Sequence, residues 1–219
     1  MKSKWPDLII LTYRLRFGKA NRASSLYCSQ LALYLQKFFS NMNVTVYLSS
    51  RTNINPAFKN ATEELAKGLG RMRATLVYGG SNAGQMHVLA AVAKASGAKV
   101  TGVIPEVFRH LADPVVDRMI YTKDLGERKS VLREFGDVYV ALPGGVGTLD
   151  EVMSTLAEMT VRRDYGKKIL LVNVDGVFDM LAGQLDKFVE LDLADRKAVG
   201  TVEVVSSAEE CIERLKQLT

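Results

Sequence analysis

The chain has 219 residues, 47% hydrophobic and 24% charged, which suits one compact α/β domain with a sizeable core. Its net charge of +5 belongs to residues 1–42, which carry +6 against −1 for the remainder, so a nucleic-acid-binding face on the folded body is not expected. Two cysteines (Cys28, Cys211) and two histidines (His87, His110) supply neither a metal-ligand spacing nor a Ser-His-Asp relay, and no apolar run approaches the roughly 20 residues of a membrane-spanning helix.

Residues 1–43 differ from the rest. They are basic and nearly free of acids, with a short candidate strand at Leu8–Leu11 and an amphipathic candidate helix at Ser25–Phe39. The expectation is an N-terminal extension packed on the domain, or a start site placed too early, since Met42 opens a credible first strand. A targeting peptide or membrane-surface helix is the alternative.

From Val44 the chain alternates strand and helix. Strands are expected at 44–48, 74–78, 99–104, 117–121, 138–142, 168–173 and 202–205. Helices are expected at 56–69, 85–95, around Arg128 and ending before Gly136, at 152–159, 177–190 and 208–218. Apolar strands alternating with helices imply a Rossmann-like, doubly wound parallel sheet covered on both faces, as a single domain over 44–219. The thiol usage fits a reducing compartment, the cytoplasm.

Ligands of such sheets sit beyond the carboxyl ends of the strands. Three loops belong on that edge: Ser49–Ser50, the glycine loop Gly79–Gly84, and Pro143–Thr148. The last follows the strand Val138–Leu142 and precedes a helix. Gly144, Gly145 and Gly147 allow close backbone approach, Thr148 stands where a helix N-cap hydroxyl belongs, and the helix N-terminus attracts an anion. Glu151 then lies one turn into that helix, badly placed if phosphate binding is the only task. The Gly79–Gly84 loop lacks the dinucleotide spacing, and no acid ends the next strand to take a ribose. Two separate glycine loops fit a mononucleotide. Taken singly, Asp150 and Glu151 also read as first-turn acids, and Arg128-Lys129 as a solvated helix face.

The combination resembles a known family. Pro143-Gly-Gly-Val-Gly-Thr-Leu-Asp-Glu151 matches the PGGxGTxxE motif of the LONELY GUY family, cytokinin riboside 5′-monophosphate phosphoribohydrolases often mistaken for lysine decarboxylases. The family's upstream Arg-Lys pair matches Arg128-Lys129, and 23 residues separate Arg128 from Glu151 as the pattern requires. Tyr78-Gly-Gly…Gly84-Gln-Met86 resembles YGGGxxGLMG, Val46-Tyr-Leu-Ser-Ser50 resembles VYCGSS, and Asn173-Val-Asp-Gly176 resembles the start of NVDGYYD. The resemblance covers about residues 44–195.

It implies hydrolysis of the N-glycosidic bond of a purine nucleoside 5′-monophosphate, releasing a base and ribose 5-phosphate, without metal or cofactor. It implies Arg128 and Glu151 as catalytic residues. Ser50, Gly79, Gly80, Gly84, Met86, Lys129, Gly144, Gly145, Val146, Gly147, Thr148 and Asp150 would bind the substrate. It also implies a homodimer with the helix after the motif near the interface, for which Val152, Met153, Leu156 and Met159 are candidates that equally suit burial in their own chain. The chain departs from the family at Asp124-Leu-Gly-Glu-Arg-Lys129, where Gly126 removes a side chain near the expected base pocket. It departs again at Ala157, where a ligand-touching threonine is expected. These changes leave the base open between a prenylated adenine and a plain purine. The competing readings are a non-catalytic mononucleotide sensor and an amino-acid decarboxylase.

Overall fold

The structure is a computed structural model, and it describes residues 42–218. The expected strand at 8–11 and helix at 25–39 lie outside the described residues.

Seven parallel strands form one sheet: β1 (Asn43–Tyr47), β2 (Thr75–Tyr78), β3 (Lys99–Pro105), β4 (Arg118–Thr122), β5 (Val138–Ala141), β6 (Ile169–Val172) and β7 (Val202–Val205), in the order β4-β3-β2-β1-β5-β6-β7. All seven expected strands are present, with ends within about a residue of the sequence reading. The helices are α1 (Pro56–Arg71), α2 (Gly84–Ala95), α3 (Leu125–Phe135), α4 (Val146–Arg162), α5 (Asp179–Glu190), α6 (Arg196–Val199) and α7 (Ala208–Gln217). A 3₁₀ segment at Glu106–Leu111 and the one-turn α6 were not anticipated, since both are too short to carry a periodic signal.

Side-chain alternation along the strands builds two cores. In β1 and just beyond it, Val44, Val46 and Leu48 join Leu65 and Leu69 of α1, Leu89 of α2 and Leu215 of α7 on one face. Tyr47 points to the other face, with Leu132 of α3, Val152 and Leu156 of α4 and Leu185 of α5. A period of two on buried strands therefore places helices on both sides of the sheet. Strand order reverses between β1 and β5, where Tyr47 lies opposite Ala141.

Local chemistry sets where the helices start. Asn55 caps α1, its side chain accepting from Ala57 N–H at 2.9 Å, with Pro56 at the first helical position. Asp124 caps α3 by accepting from Glu127 N–H at 2.8 Å, and the Glu127 carboxylate accepts from Lys123 N–H at 2.6 Å. That double fixation sets the phase at which Arg128 and Lys129 leave α3.

One expectation is corrected. Thr148 is not an N-cap: α4 begins at Val146, Gly145 is the cap, and Thr148 is a buried residue of the first turn. The helix starts earlier because Thr148 drops into the hollow beside Gly144, where a Cβ would lie 2.0 Å from the Thr148 Oγ1. With no side chain capping α4, its first N–H groups are left for a ligand.

Candidate functional site

At the switch between β1 and β5, the loops leaving the two strands part around a cavity of about 430 Å³. The β1 side contributes Leu48, Ser49, Ser50 and Arg51, and the β5 side contributes Gly145, Val146, Gly147 and Thr148. Met86 of α2, Leu125, Arg128 and Lys129 of α3, and Asp150 and Glu151 of α4 complete the lining. The size suits a small organic ligand.

Arg128 and Glu151 meet here. Arg128 Nη2 lies 3.2 Å from Glu151 Oε1, with only 14% and 8% of the two side chains exposed. The Arg128 Nε donates to the Val103 carbonyl at 3.2 Å, which fixes the guanidinium plane. Burial pushes the Glu151 carboxyl up to about 7, the Arg128 charge opposes that rise, and Asp150 adds to it. Glu151 thus shifts between protonated and ionised forms near neutral pH, a property suited to acid–base or charge-stabilising work.

The backbone beneath Glu151 is held by a buried chain of hydroxyls. Thr155 donates to the Glu151 carbonyl at 2.7 Å, so its one proton is used, and the Tyr47 hydroxyl 2.9 Å away donates to Thr155 in turn. Burial raises the Tyr47 phenol well above its usual range, which keeps it a donor. Beside Glu151, Lys129 Nζ bonds both Asp150 oxygens at 2.9 and 3.0 Å and Ser154 Oγ at 3.3 Å. The hydrogen bond from Lys129 lowers the Asp150 carboxyl from its ordinary value, so the two neighbouring acids of α4 differ sharply.

Of the residues expected from the sequence, Ser50, Met86, Arg128, Lys129, Gly145, Val146, Gly147, Thr148, Asp150 and Glu151 line the cavity. Gly79, Gly80, Gly84 and Gly144 stand behind them. A Cβ at Gly79 would lie 2.3 Å from Arg128 Nη2, so the glycine makes room for the guanidinium. Gly84, at φ +50°, packs on the β1 loop, where a Cβ would come within 2.1 Å of the Ser50 carbonyl oxygen. Gly80, at φ +71°, presses on β3. Gly145 and Gly147 face open space, which leaves the approach to the α4 N-terminus clear.

Asp113 holds the Gly79–Gly84 loop. Its buried carboxylate accepts from the Tyr78 hydroxyl at 3.1 Å and from Val115 N–H at 3.1 Å, and lies 3.0 Å from His87 Nδ1, while its own N–H donates to Gly80 O at 2.9 Å. Sequence reading missed Asp113, Leu125 and Arg51. Only the tertiary fold brings Asp113 to the loop; Leu125 lies within the Asp124–Lys129 stretch without being singled out there, and Arg51 sits one residue past the Val46–Ser50 stretch. Ala157 is exposed and does not line the cavity. Six residues beyond Glu151, it points roughly 240° around the helix from it.

A second hollow of about 480 Å³ lies at the β7 edge, lined by Glu203, Glu210 and Arg214 among others. Hydrogen bonding from Arg214, with help from Lys168, holds the Glu203 carboxyl down at about 2, so it offers no acid–base group near neutral pH. Among the described residues no cluster of His, Cys, Asp and Glu is arranged to hold a metal ion, and no helix is long and apolar enough to cross a membrane.

Comparison with known proteins identifies the family. The chain is 34% identical over 140 residues to the cytokinin riboside 5′-monophosphate phosphoribohydrolase of Mycobacterium tuberculosis, covering 63% of this chain and 74% of that protein. It is 29% identical over 178 residues to the cytokinin riboside 5′-monophosphate phosphoribohydrolase LOG7 of Arabidopsis thaliana, covering 80% and 81%. Among solved structures, the molybdenum cofactor binding protein of Rippkaea orientalis superposes with a TM-score of 0.64 at 24% identity, covering 82% of this chain and 98% of that one. That likeness concerns the fold alone. The profile of a family described as "possible lysine decarboxylase" matches residues 86–215, a span that takes in Arg128 and the whole Pro143–Glu151 motif. With more than half the chain matched, and with both halves of the Arg-Lys and PGGxGTxxE signature gathered on one cavity, the chain belongs to the LONELY GUY family.

Proposed function

We propose that this protein hydrolyses the N-glycosidic bond of a purine nucleoside 5′-monophosphate, of the cytokinin riboside or AMP type, to the free base and ribose 5-phosphate. The observation that carries the reading is the buried Arg128–Glu151 pair, 3.2 Å apart, beside an uncapped helix N-terminus. The N–H groups of the first α4 turn and the Thr148 hydroxyl hold the 5′-phosphate. The ribose then lies over Glu151. As the bond between C1′ and the base nitrogen breaks, positive charge develops on the sugar, and the ionised Glu151 stabilises it. Water adds its oxygen to C1′, and one of its protons ends on the departing base. Arg128 keeps Glu151 oriented and stabilises its ionised form against burial.

Decarboxylation dependent on pyridoxal phosphate fits less well. It needs a lysine amine free to react, and Lys129, the lysine of this cavity, is engaged by Asp150 and Ser154. Residues 44–219 form the catalytic unit in this reading, with residues 1–43 an extension to it.

The working form is a homodimer. Val152, Leu156 and Met159 are buried in their own core and Met153 is half-buried against it, so the reading does not rest on these four. Its support comes from the outer side of α4, where Val146 and Val161 are 84% and 85% exposed and Leu149 is partly so. A monomeric mass by light scattering at micromolar concentration contradicts it.

The test of function is incubation with AMP and with isopentenyladenosine monophosphate, measuring free base and ribose 5-phosphate. Glu151→Ala and Arg128→Ala are expected to fold and to lose about 100-fold or more in rate. Base release near the wild-type rate by either variant removes the assignment. Binding without turnover by the wild type favours a nucleotide sensor.

A further inference from the structure

The charges of the cavity do not balance, and the imbalance has one owner. Three cations line it, Arg51, Arg128 and Lys129, against two acids, Asp150 and Glu151. Arg128 is matched by Glu151 at 3.2 Å and Lys129 by Asp150 at 2.9 Å. Among the described residues, the Arg51 guanidinium has no acid within ion-pair reach.

Its backbone, in contrast, is fixed. Arg51 N–H donates to Ser49 Oγ at 3.1 Å. Gly84 of α2 packs so closely that a Cβ there would come within 2.6 Å of the Arg51 carbonyl carbon and oxygen. The residue therefore leaves the β1 loop at a set position, with its charge unused and the cavity in front of it. A surface arginine kept only for solubility needs no such seat.

We propose that Arg51 is a substrate-binding residue that grips the 5′-phosphate of the nucleotide from the β1 loop, complementing the N–H groups of α4 on the β5 loop. The inference rests on the nucleotide reading given above. A phosphate monoester carries a charge of about −1.5 to −2 near neutral pH. The paired cations are already spent on Glu151 and Asp150, and the helix terminus supplies only about half a charge. Arg51 provides the whole positive charge that remains, in a planar fork matched to two phosphate oxygens. The contact acts on binding rather than on the glycosidic bond, because Glu151 and Arg128 face each other independently of it.

The test compares Arg51→Gln and Arg51→Lys with the wild type, using AMP as substrate and ribose 5-phosphate and adenine as product inhibitors. For Arg51→Gln, KM for AMP and the inhibition constant of ribose 5-phosphate should both rise about tenfold, the magnitude of a charge-assisted hydrogen bond. The inhibition constant of neutral adenine should stay within about twofold, and Arg51→Lys should recover part of the loss. A wild-type KM for AMP in Arg51→Gln overturns the proposal, as does equal weakening of adenine. Loss of turnover in Glu151→Ala with unaltered Arg51→Gln leaves the hydrolase reading standing and removes this one. If the wild type releases no base, the hydrolase reading fails by itself, and calorimetric binding of AMP decides for Arg51: tenfold weaker binding in Arg51→Gln supports it, and equal affinity overturns it.

Discussion

Glu151→Gln is predicted to abolish hydrolysis and, at the same time, to make the protein more stable above neutral pH. Glutamine keeps the shape of the side chain and imitates its protonated form. In the folded protein, burial raises the Glu151 carboxyl from its ordinary 4.5 to about 7. A raised acid favours the folded state when protonated. Its contribution is therefore fully present below pH 4.5 and is lost as the pH rises to about 7. The loss corresponds to roughly 3 kcal/mol at pH 8, because one pKa unit is about 1.4 kcal/mol. This figure already contains the attraction of Arg128, which is itself among the causes acting on the carboxyl. The two proteins should melt together near pH 4.5. At pH 8 the variant should melt higher, by roughly 6–12 °C for a domain of this size. Thermal melts followed by circular dichroism at the two pH values provide the measurement. A variant that melts at or below the wild type at pH 8 refutes the burial argument, whatever its activity. The pair of outcomes, stability gained and catalysis lost, is the signature of a group held in an unfavourable environment for its chemistry.

The remaining predictions address the neighbours. If the ionised Glu151 is the working form, the wild-type rate of base release should rise with pH and level off above about pH 7, and a rate that falls over pH 5–7 contradicts this. Arg128→Gln removes the charge that opposes the rise, so the Glu151 carboxyl should move higher still, readable by carbon-13 NMR of the side chain; a downward move refutes the pairing. Gly84→Ala meets both a left-handed backbone at φ +50° and the Ser50 carbonyl oxygen, and should cost about 2 kcal/mol or more in denaturant unfolding. Tyr47→Phe leaves Thr155 without its donor and should cost about 1 kcal/mol, with a modest loss of rate because the Glu151 backbone loosens.

The fold was readable from the sequence because buried parallel strands are short apolar runs separated by helices, and those runs are unambiguous here. Val138–Leu142 and Lys168–Asn173 could hardly be anything else. The site was readable because Arg128 and Glu151 sit in motifs of fixed spacing. Tertiary placement hid the rest. Asp113 reaches the glycine loop only because a 3₁₀ turn brings the chain back across β2 and β3. The start of α4 differs from the sequence reading because a threonine after glycines looks like a cap, while the hollow beside Gly144 that draws it inward is invisible in one dimension. The side of α4 on which Val152 and Leu156 fall is set by packing against Tyr47 and Leu185, which a sequence pattern alone does not show.

The reversal of strand order between β1 and β5 has a consequence for how such a protein can change. The crevice at that point arises from winding: chain on either side leaves in opposite directions, and no helix can cover the gap. Its place is therefore inherited with the topology, while the side chains that border it set its size and shape. Leu125, more than half exposed, is free to vary without undermining the two cores, whereas Leu48 belongs to one of them and Met86 packs against it. A frame of this kind lets the rim of the crevice change at Leu125 while the packing beneath it stays as it is.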